Sequence, residues 1–281
     1  MKAVKEKSGG LLELQCFYGG SKGDEVATVD LMKSGQLDGV AVSSVGLARL
    51  HKPALALQMP GLFTTWAKLD AARDALAGEL ETGLRNAGAG LVGWYDVGMV
   101  SVLSRGFPVR APANLKGKKP WLWRDDPVVK AFYQRIGGVT PVSRSVLEVL
   151  PRLSTSAVDA VLQSPLAVEQ LQWASKLDTI TDLVVGPGVG AIVLAQKRLD
   201  ALPGDLRSVV LDTGKIAAAA LKNRIRTEDA AALARLKTKM TVVSLTAEER
   251  GWWNARFKET RQLLAQGTFS PVLVARLESM A

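Results

Sequence analysis

The chain has 281 residues, of which 47% are hydrophobic and 22% are charged, so it is long enough to bury a large core and to divide into two lobes. Its formal charge of +9 would suit a nucleic-acid-binding protein if the charge were clustered, because phosphate binding needs grouped Lys and Arg. The basic residues are instead scattered along the chain, and we expect no nucleic-acid partner.

A single cysteine and a single histidine leave little for metal or nucleophilic chemistry. Cys16 lies in the alternating apolar stretch LLELQCFY, where a thiol is typically a small core residue, and His51 lies among loop residues. An intrachain disulfide and a zinc site of Cys and His are both excluded. The sequence therefore predicts no metal site and no cofactor, and it disfavours an enzyme, although a carboxylate pair such as Asp96 with Asp125 keeps that class open.

Membrane insertion is not indicated. No apolar run approaches the length of about 18 residues that a transmembrane helix needs. The amino-terminal stretch MKAVKEKSGG has charge but lacks the apolar core of a signal peptide.

Strand and helix patterns alternate in the first part of the chain, which is typical of a parallel α/β sheet. In chain order the patterns predict a strand at 11–18, a helix at 23–36, a strand at 37–44, a long helix at 66–88 and a strand at 89–98.

After a proline-rich connection at 106–117 the alternation begins again, which indicates a second α/β lobe. The predicted elements are a strand with Trp121 and Trp123, a helix at 126–138, a helix at 146–156, a strand at 157–162, a segment at 183–199 and long helices between 203 and 263. The late segments then return to complete both lobes. We expect lobe I to comprise 1–100 and about 190–235, and lobe II 101–189 and about 236–281, with crossings near 98–104 and 183–190.

The stretch GPGVG at 186–190 contains part of a dinucleotide-binding fingerprint. That fingerprint needs glycines at a turn from a strand into a helix. Here AIVLAQK continues the strand pattern after the glycines, so we do not expect a nucleotide site.

Seven short motifs occur in the order and spacing of a known family. They are GGSKGDE (19–25), MKSGQLDGVAVSS (32–44), MPGLF (59–63), GWYDVG (93–98), PANLKGKK (112–119), VLPRLSTSAVDAV (149–161) and QSPLAVEQLQW (163–173). Over nearly its whole length the chain resembles the substrate-binding proteins of tripartite ATP-independent periplasmic (TRAP) transporters, of the dicarboxylate-binding type. The resemblance implies an α/β, two-lobed periplasmic binding protein fold with a ligand cleft between the lobes, a small organic ligand, and membrane permease subunits as partners. It also implies a periplasmic location.

Two positions depart from the family pattern. Where the family carries an arginine that clamps the ligand carboxylate, the stretch LKGKKPWLW places Trp121, and Val100 stands where a second arginine often follows. An indole offers apolar surface but cannot neutralise a carboxylate. We therefore expect a receptor for an apolar or weakly polar organic ligand. The alternative is an organic-acid receptor in which Arg124 or Arg144 replaces the clamp.

The match to the family also predicts which side chains face the cleft. They are Tyr18, Ser43, Ser44, Phe63, Trp94, Tyr95, Val100, Trp121, Trp123, Arg124, Arg144, Gln163, Ser164 and Trp173. Core packing is the competing interpretation for the tryptophans, because strands of α/β sheets are often buried on both faces. A solvated turn is the competing interpretation for Arg124.

The family begins with a strand and a helix ahead of the segment that SGGLLELQCFY matches. This chain enters the pattern at the end of that helix. A sheet edge left without its neighbouring strand is a site for pairing with another chain. Monomer and homodimer therefore both stay open.

Overall fold

Helices and strands alternate along the whole chain, and the computed structural model describes residues 1–281. The helices are α1 (Lys2–Lys7), α2 (Glu25–Lys33), α3 (Ser44–His51), α4 (Trp66–Ala75), α5 (Ala77–Asn86), α6 (Pro127–Ile136), α7 (Val149–Ser154), α8 (Pro165–Gln170), α9 (Gln196–Asp200), α10 (Gly204–Lys239), α11 (Ala247–Leu264) and α12 (Pro271–Glu278). The strands are β1 (Gly39–Val42), β2 (Ala89–Ser104), β3 (Trp121–Trp123), β4 (Val142–Arg144), β5 (Ala160–Gln163), β6 (Thr179–Ala195) and β7 (Thr241–Val243). None of the helices combines the length and the apolar character needed to cross a bilayer.

The two longest strands, β2 and β6, form the centre of a five-stranded sheet. Its order is β1-β6-β2-β5, with β7 also paired to β6, and β3 and β4 form a separate parallel pair. The β1–β6, β2–β6 and β2–β5 pairs are antiparallel, and β6–β7 is parallel. The predicted parallel sheet is therefore wrong. The two lobes are not built on separate sheets, because β2 and β6 carry one ladder through both.

The ladder is irregular where the crossings were predicted. Gly98 lies opposite Gly188 and Val100 opposite Gly186, and the register shifts just before Gly98 and just after Val100. Such irregularities locally bend a strand and increase its twist. The bend falls where the chain passes from one lobe to the other.

Buried side chains form separate cores on the two sides of this crossing. One core of 29 buried residues is built mainly from 29–89, 189–195 and 264–277. Two others draw on residues between 102 and 185 and on parts of α10 and α11. The lobe bounds stay a prediction, but Val274 and Leu277 of α12 pack in the first core, whereas we had assigned this segment to lobe II.

The segment 11–18, predicted to be a strand, is an extended loop. Leu11 is 75% exposed and Tyr18 is 70% exposed, and β1 pairs only with β6. Alternating apolar residues form a strand only when a neighbouring strand takes their backbone hydrogen bonds. The predicted helix at 66–88 also differs, because it divides at Leu76 into α4 and α5.

The glycines of GPGVG lie inside β6, and two of them, Gly188 and Gly190, make room for side chains of β2. A Cβ on Gly190 would lie 2.4 Å from Cζ of Tyr95, and one on Gly188 would lie 2.9 Å from Cβ of Val97. Close packing between the two strands therefore explains these glycines.

Asp229 of α10 ties the crossing region to the start of α8. Its carboxylate accepts hydrogen bonds from the backbone N–H of Met99 (2.8 Å) and of Leu166 (2.9 Å). The Ser164 hydroxyl, which caps α8, donates to the carbonyl of Val97 (2.8 Å). Burial raises the pKa of Asp229, and the two backbone hydrogen bonds act in the opposite direction. The helix α10 thus holds the strand at the position where its ladder is irregular.

A buried ion cluster joins α4, β2 and α10. Asp96 is fully buried and accepts from the guanidinium groups of Arg73 and Arg226. Arg226 also forms a bidentate pair with Asp70, with both N···O distances at 2.7 Å. The Arg226 guanidinium lies 4.5 Å from the ring centroid of Trp66. A buried carboxylate is tolerated when it is paired and hydrogen-bonded in this way.

Acid should weaken the Asp70 pair. The hydrogen bonds from Arg226 hold the pKa of Asp70 below its ordinary value, so the pair contributes stability above an ordinary carboxyl pKa of about 4 and loses it as the pH falls through the folded pKa. We expect Asp70→Asn to reduce the difference in urea midpoint between pH 7 and pH 3. The matched control is Asp74→Asn, an exposed carboxyl on the same helix, and an equal reduction there would contradict the assignment.

Candidate ligand-binding cleft

A cavity of about 90 Å³ lies at the crossing, between residues of the two predicted lobes. This volume corresponds to roughly seven water molecules, at about 10–15 Å³ for each, so it suits a small organic molecule. Twelve of the lining side chains are apolar: Leu55, Pro60, Val97, Val100, Trp121, Trp123, Val128, Val129, Phe132, Leu162, Val185 and Pro187. The polar ones are Ser43, Ser44, Gln58, Asp126 and Gln163. None of the lining residues is Lys, Arg or His.

Six of the predicted cleft residues line this cavity. They are Ser43, Ser44, Val100, Trp121, Trp123 and Gln163. They come from both sides of the crossing, since the two serines follow β1, Val100 lies in β2, the tryptophans form β3 and Gln163 ends β5.

Trp121 and Trp123 share one side of β3, as residues two apart on a strand should. Their ring centroids are 5.8 Å apart. Trp121 is 4% exposed, meets Trp173 edge-on at 5.2 Å and donates its indole N–H to the carbonyl of Arg144 (3.1 Å). The side chain therefore belongs to a lobe core and borders the cavity as well, so the two interpretations of the sequence do not exclude each other.

Four other predicted cleft residues lie outside the cavity lining, three of them buried and Tyr95 half-buried. Phe63 is fully buried in the first core and Trp173 in the core around Trp121. The Tyr95 hydroxyl donates to the carbonyl of Val42 (3.0 Å), and Ser164 is occupied as the cap of α8. These four residues match family motifs because their positions build the lobes. A short motif does not distinguish such a position from one that touches a ligand.

Trp94 and Tyr18 also lie outside the lining. The Trp94 ring packs against the first core and lies 5.9 Å from the Arg73 guanidinium. Tyr18 lies in the exposed loop at 11–18 and cannot reach a cleft from there without that segment changing its structure.

The two arginines considered as replacement clamps are engaged with one carboxylate. Arg124 and Arg144 each lie 3.5 Å from Glu148, and all three side chains are at least one third exposed. Neither arginine lines the cavity. Because exposed pairs of this kind contribute little and exchange readily with water, the three residues form a solvated surface group.

Two of the polar lining residues hold local structure. Asp126 caps α6 by accepting from the backbone N–H of Val128 (2.9 Å) and Val129 (3.0 Å), and burial raises its pKa. The Ser43 hydroxyl donates to Glu25 (2.7 Å), whose pKa is also raised by burial. Both carboxyl groups are thus used by hydrogen bonds from the protein itself.

Sequence reasoning missed the contribution of α6 and of Gln58. Val128, Val129 and Phe132 reach the cavity because α6 begins directly after β3. The helix was predicted at 126–138, but its amphipathic pattern shows which side is apolar without showing what that side covers. Gln58 directly precedes the MPGLF motif. Its position next to that motif was the sequence feature that could have identified it as a lining residue.

Similar proteins share this fold. Solved structures of TRAP periplasmic solute-binding proteins superpose on nearly the whole chain. One from Roseobacter denitrificans with bound β-D-glucuronate has a TM-score of 0.90 at 19% identity and covers 99% of this chain and 92% of that one. Another, from Sulfurospirillum deleyianum with bound succinate, has a TM-score of 0.90 at 18% identity and covers 100% of this chain and 92% of that one.

Sequence relatives are of the same kind. A solute-binding protein of Verminephrobacter eiseniae is 29% identical over 249 residues, which is 86% of this chain and 72% of that protein. A C4-dicarboxylate-binding protein of Bacillus subtilis is 27% identical over 161 residues, 56% of this chain and 44% of that protein. Residues 1–266 match the family described as bacterial extracellular solute-binding protein, family 7. The two-lobed fold, the cavity at the crossing and this match agree, and the chain belongs to that family of TRAP solute-binding proteins.

Proposed function

We propose that this TRAP solute-binding protein is a receptor for an uncharged, largely apolar organic solute. The observation that carries the proposal is the lining of the cavity, which has twelve apolar side chains and no cation. From the match of LKGKKPWLW to the family pattern, we take Trp121 to stand where a clamping arginine is usual. A solute that buries on the order of 200 Å² of apolar surface gains about 5 kcal/mol, whereas a carboxylate moved into such a site without a cation loses several kcal/mol of hydration.

An organic acid is the second candidate, because the similar structures from Roseobacter denitrificans and Sulfurospirillum deleyianum hold glucuronate and succinate. For this chain an acid would require Arg124 or Arg144 to leave Glu148 and enter the cavity. The lining itself contains no Lys, Arg or His that could pair with the acid. These features favour the uncharged solute.

Transport would follow from closure of the lobes on the solute. We propose the periplasm as the location and membrane permease subunits as the partners that recognise the closed form. Delivery needs the permease to bind the closed and open forms with different affinities. The family and its solved relatives are proteins of transport, and we propose no catalytic reaction for this chain.

Calorimetry with three probes tests the ligand class. We expect cyclohexanone to bind and to quench tryptophan fluorescence, and succinate and D-glucuronate to bind with a Kd of about 1 mM or weaker. Native mass spectrometry of the purified protein gives an independent measurement, since a co-purified molecule should be neutral.

The control variants are Arg124→Gln and Arg144→Gln, which should leave every affinity unchanged. A micromolar Kd for succinate that either variant abolishes would replace our proposal with the acid receptor.

A further inference from the structure

The cavity contains buried hydrogen-bond donors that the protein leaves without partners. Across residues 1–281, five buried side-chain polar atoms lack a partner, and two of them, Nε2 of Gln58 and Nε1 of Trp123, belong to cavity-lining residues. A buried donor without an acceptor is unfavourable, and native proteins leave few of them. An unpaired donor beside a cavity therefore indicates a group that arrives with a ligand.

Gln58 is oriented by a neighbour. It ends the short 3-10 helix Lys52–Gln58, and its side-chain oxygen accepts a hydrogen bond from the Ser44 hydroxyl (3.1 Å). The oxygen of the amide is thus occupied and the NH₂ group is left to donate. The residue lies on the lobe I side of the cavity.

Trp123 differs from Trp121 and Trp253, whose indole N–H groups have partners. Trp121 donates its N–H to the carbonyl of Arg144 (3.1 Å) and Trp253 donates to the carbonyl of Arg110 (2.8 Å). The N–H of Trp123, on the lobe II side, has no such partner. A buried indole N–H usually finds one.

Acceptors that line the cavity are partly used. Oδ1 of Asp126 accepts from two backbone N–H groups, and the side-chain oxygen of Gln163 accepts from the N–H of Ser164 (2.8 Å). The buried lining donors that lack a partner are the two N–H groups of Gln58 and Trp123, one on each side. A ligand that complements these two donors carries acceptors.

We propose, on the basis of the proposed function, that the solute carries two carbonyl-type acceptors, one bound by Gln58 and the other by Trp123. These residues determine specificity by rejecting apolar molecules that have no acceptor. Because the donors belong to opposite sides of the cleft, a solute with two acceptors bridges the lobes.

Three probes of similar shape test this inference: 1,4-cyclohexanedione, cyclohexanone and methylcyclohexane, with two, one and no acceptors. We expect affinity to rise by about tenfold for each acceptor in the wild-type protein, since one well-made hydrogen bond to an otherwise unpaired donor is of that order. Trp123→Phe and Gln58→Met each remove one donor. Each should reduce the preference for the dione over cyclohexanone to about twofold or less and leave the affinity for methylcyclohexane unchanged.

Trp252→Phe, at an exposed tryptophan of α11, is the matched control and should bind all three probes like the wild type. Circular dichroism establishes that each variant is folded. The inference is overturned if the dione binds no better than methylcyclohexane, if no neutral probe binds, or if both donor variants keep the wild-type preference. Tight succinate binding would overturn the proposal of an uncharged solute. If Trp123→Phe and Gln58→Met then left that succinate affinity unchanged, the assignment of Gln58 and Trp123 as ligand-binding donors would fail as well.

Discussion

Asp96→Ala should lower the free energy of unfolding by about 3–5 kcal/mol, the usual cost of removing one partner of a buried ion pair. Asp96 is fully buried and bridges Arg73 and Arg226. Arg226 would keep Asp70, but Arg73, which is 4% exposed, would be left as a buried cation without its carboxylate. Urea denaturation measures this loss. If the m value is the same in the variant and the wild type, the shift of the urea midpoint gives the change in the free energy of unfolding.

The control for this variant is Asp30→Ala. Asp30 pairs with Arg49 at 3.0 Å, and both side chains are about half exposed. Pairs of this kind contribute about 0–1 kcal/mol, so the midpoint should hardly move. Comparable losses in the two variants would show that the buried cluster between α4, β2 and α10 is not a major source of stability.

Gly98→Ala should lower the free energy of unfolding by about 3 kcal/mol or more, because strained backbone alone costs about 1–3 kcal/mol and a steric collision adds to it. Gly98 has a φ of +127°, and a Cβ there would lie 2.5 Å from Oδ1 of Asp229 and from Cβ of Ser164. Both neighbours hold the crossing region in place. Displacing Asp229 would also release the N–H groups of Met99 and Leu166.

Gly251→Ala is the matched control, since Gly251 lies in α11 and nothing lies within 4 Å of the added Cβ. Alanine in a helix is about 1 kcal/mol more favourable than glycine, so this variant should be unchanged or slightly more stable. Thermal and urea unfolding measure both variants. If the two substitutions had the same effect, the contacts at Gly98 would not constrain the crossing.

Local signals allowed much of the fold to be predicted. Asp126 followed by Pro127 marks the start of α6, and the short apolar run around Trp121 marks β3, because caps and strand patterns depend on neighbouring residues. The segment 11–18 shows the limit of this reasoning. Its alternating pattern is the same as that of a strand, and only the absence of a hydrogen-bonding neighbour, which is a property of the tertiary structure, makes it a loop.

The cleft was predicted only in part for a related reason. Motif matching identified Trp121, Trp123 and Gln163, which border the cavity, but it also selected Phe63 and Tyr95, whose side chains are used in packing and in a hydrogen bond to Val42. A motif records that a position is constrained and does not record which neighbour constrains it. The unpaired N–H groups of Gln58 and Trp123 were beyond prediction, because an unmet hydrogen bond is visible only when every partner has been placed.

The two long strands also determine how the molecule comes apart. Since β2 and β6 run through both lobes and are hydrogen-bonded to each other in each of them, unfolding of one lobe would leave the central ladder of the other joined directly to unfolded chain on two strands. Units that share elements in this way unfold cooperatively, unlike domains joined by a linker. We therefore expect the cleft to open and close by bending within one folding unit where the β2–β6 ladder is irregular, and not by the movement of two separately unfolding domains.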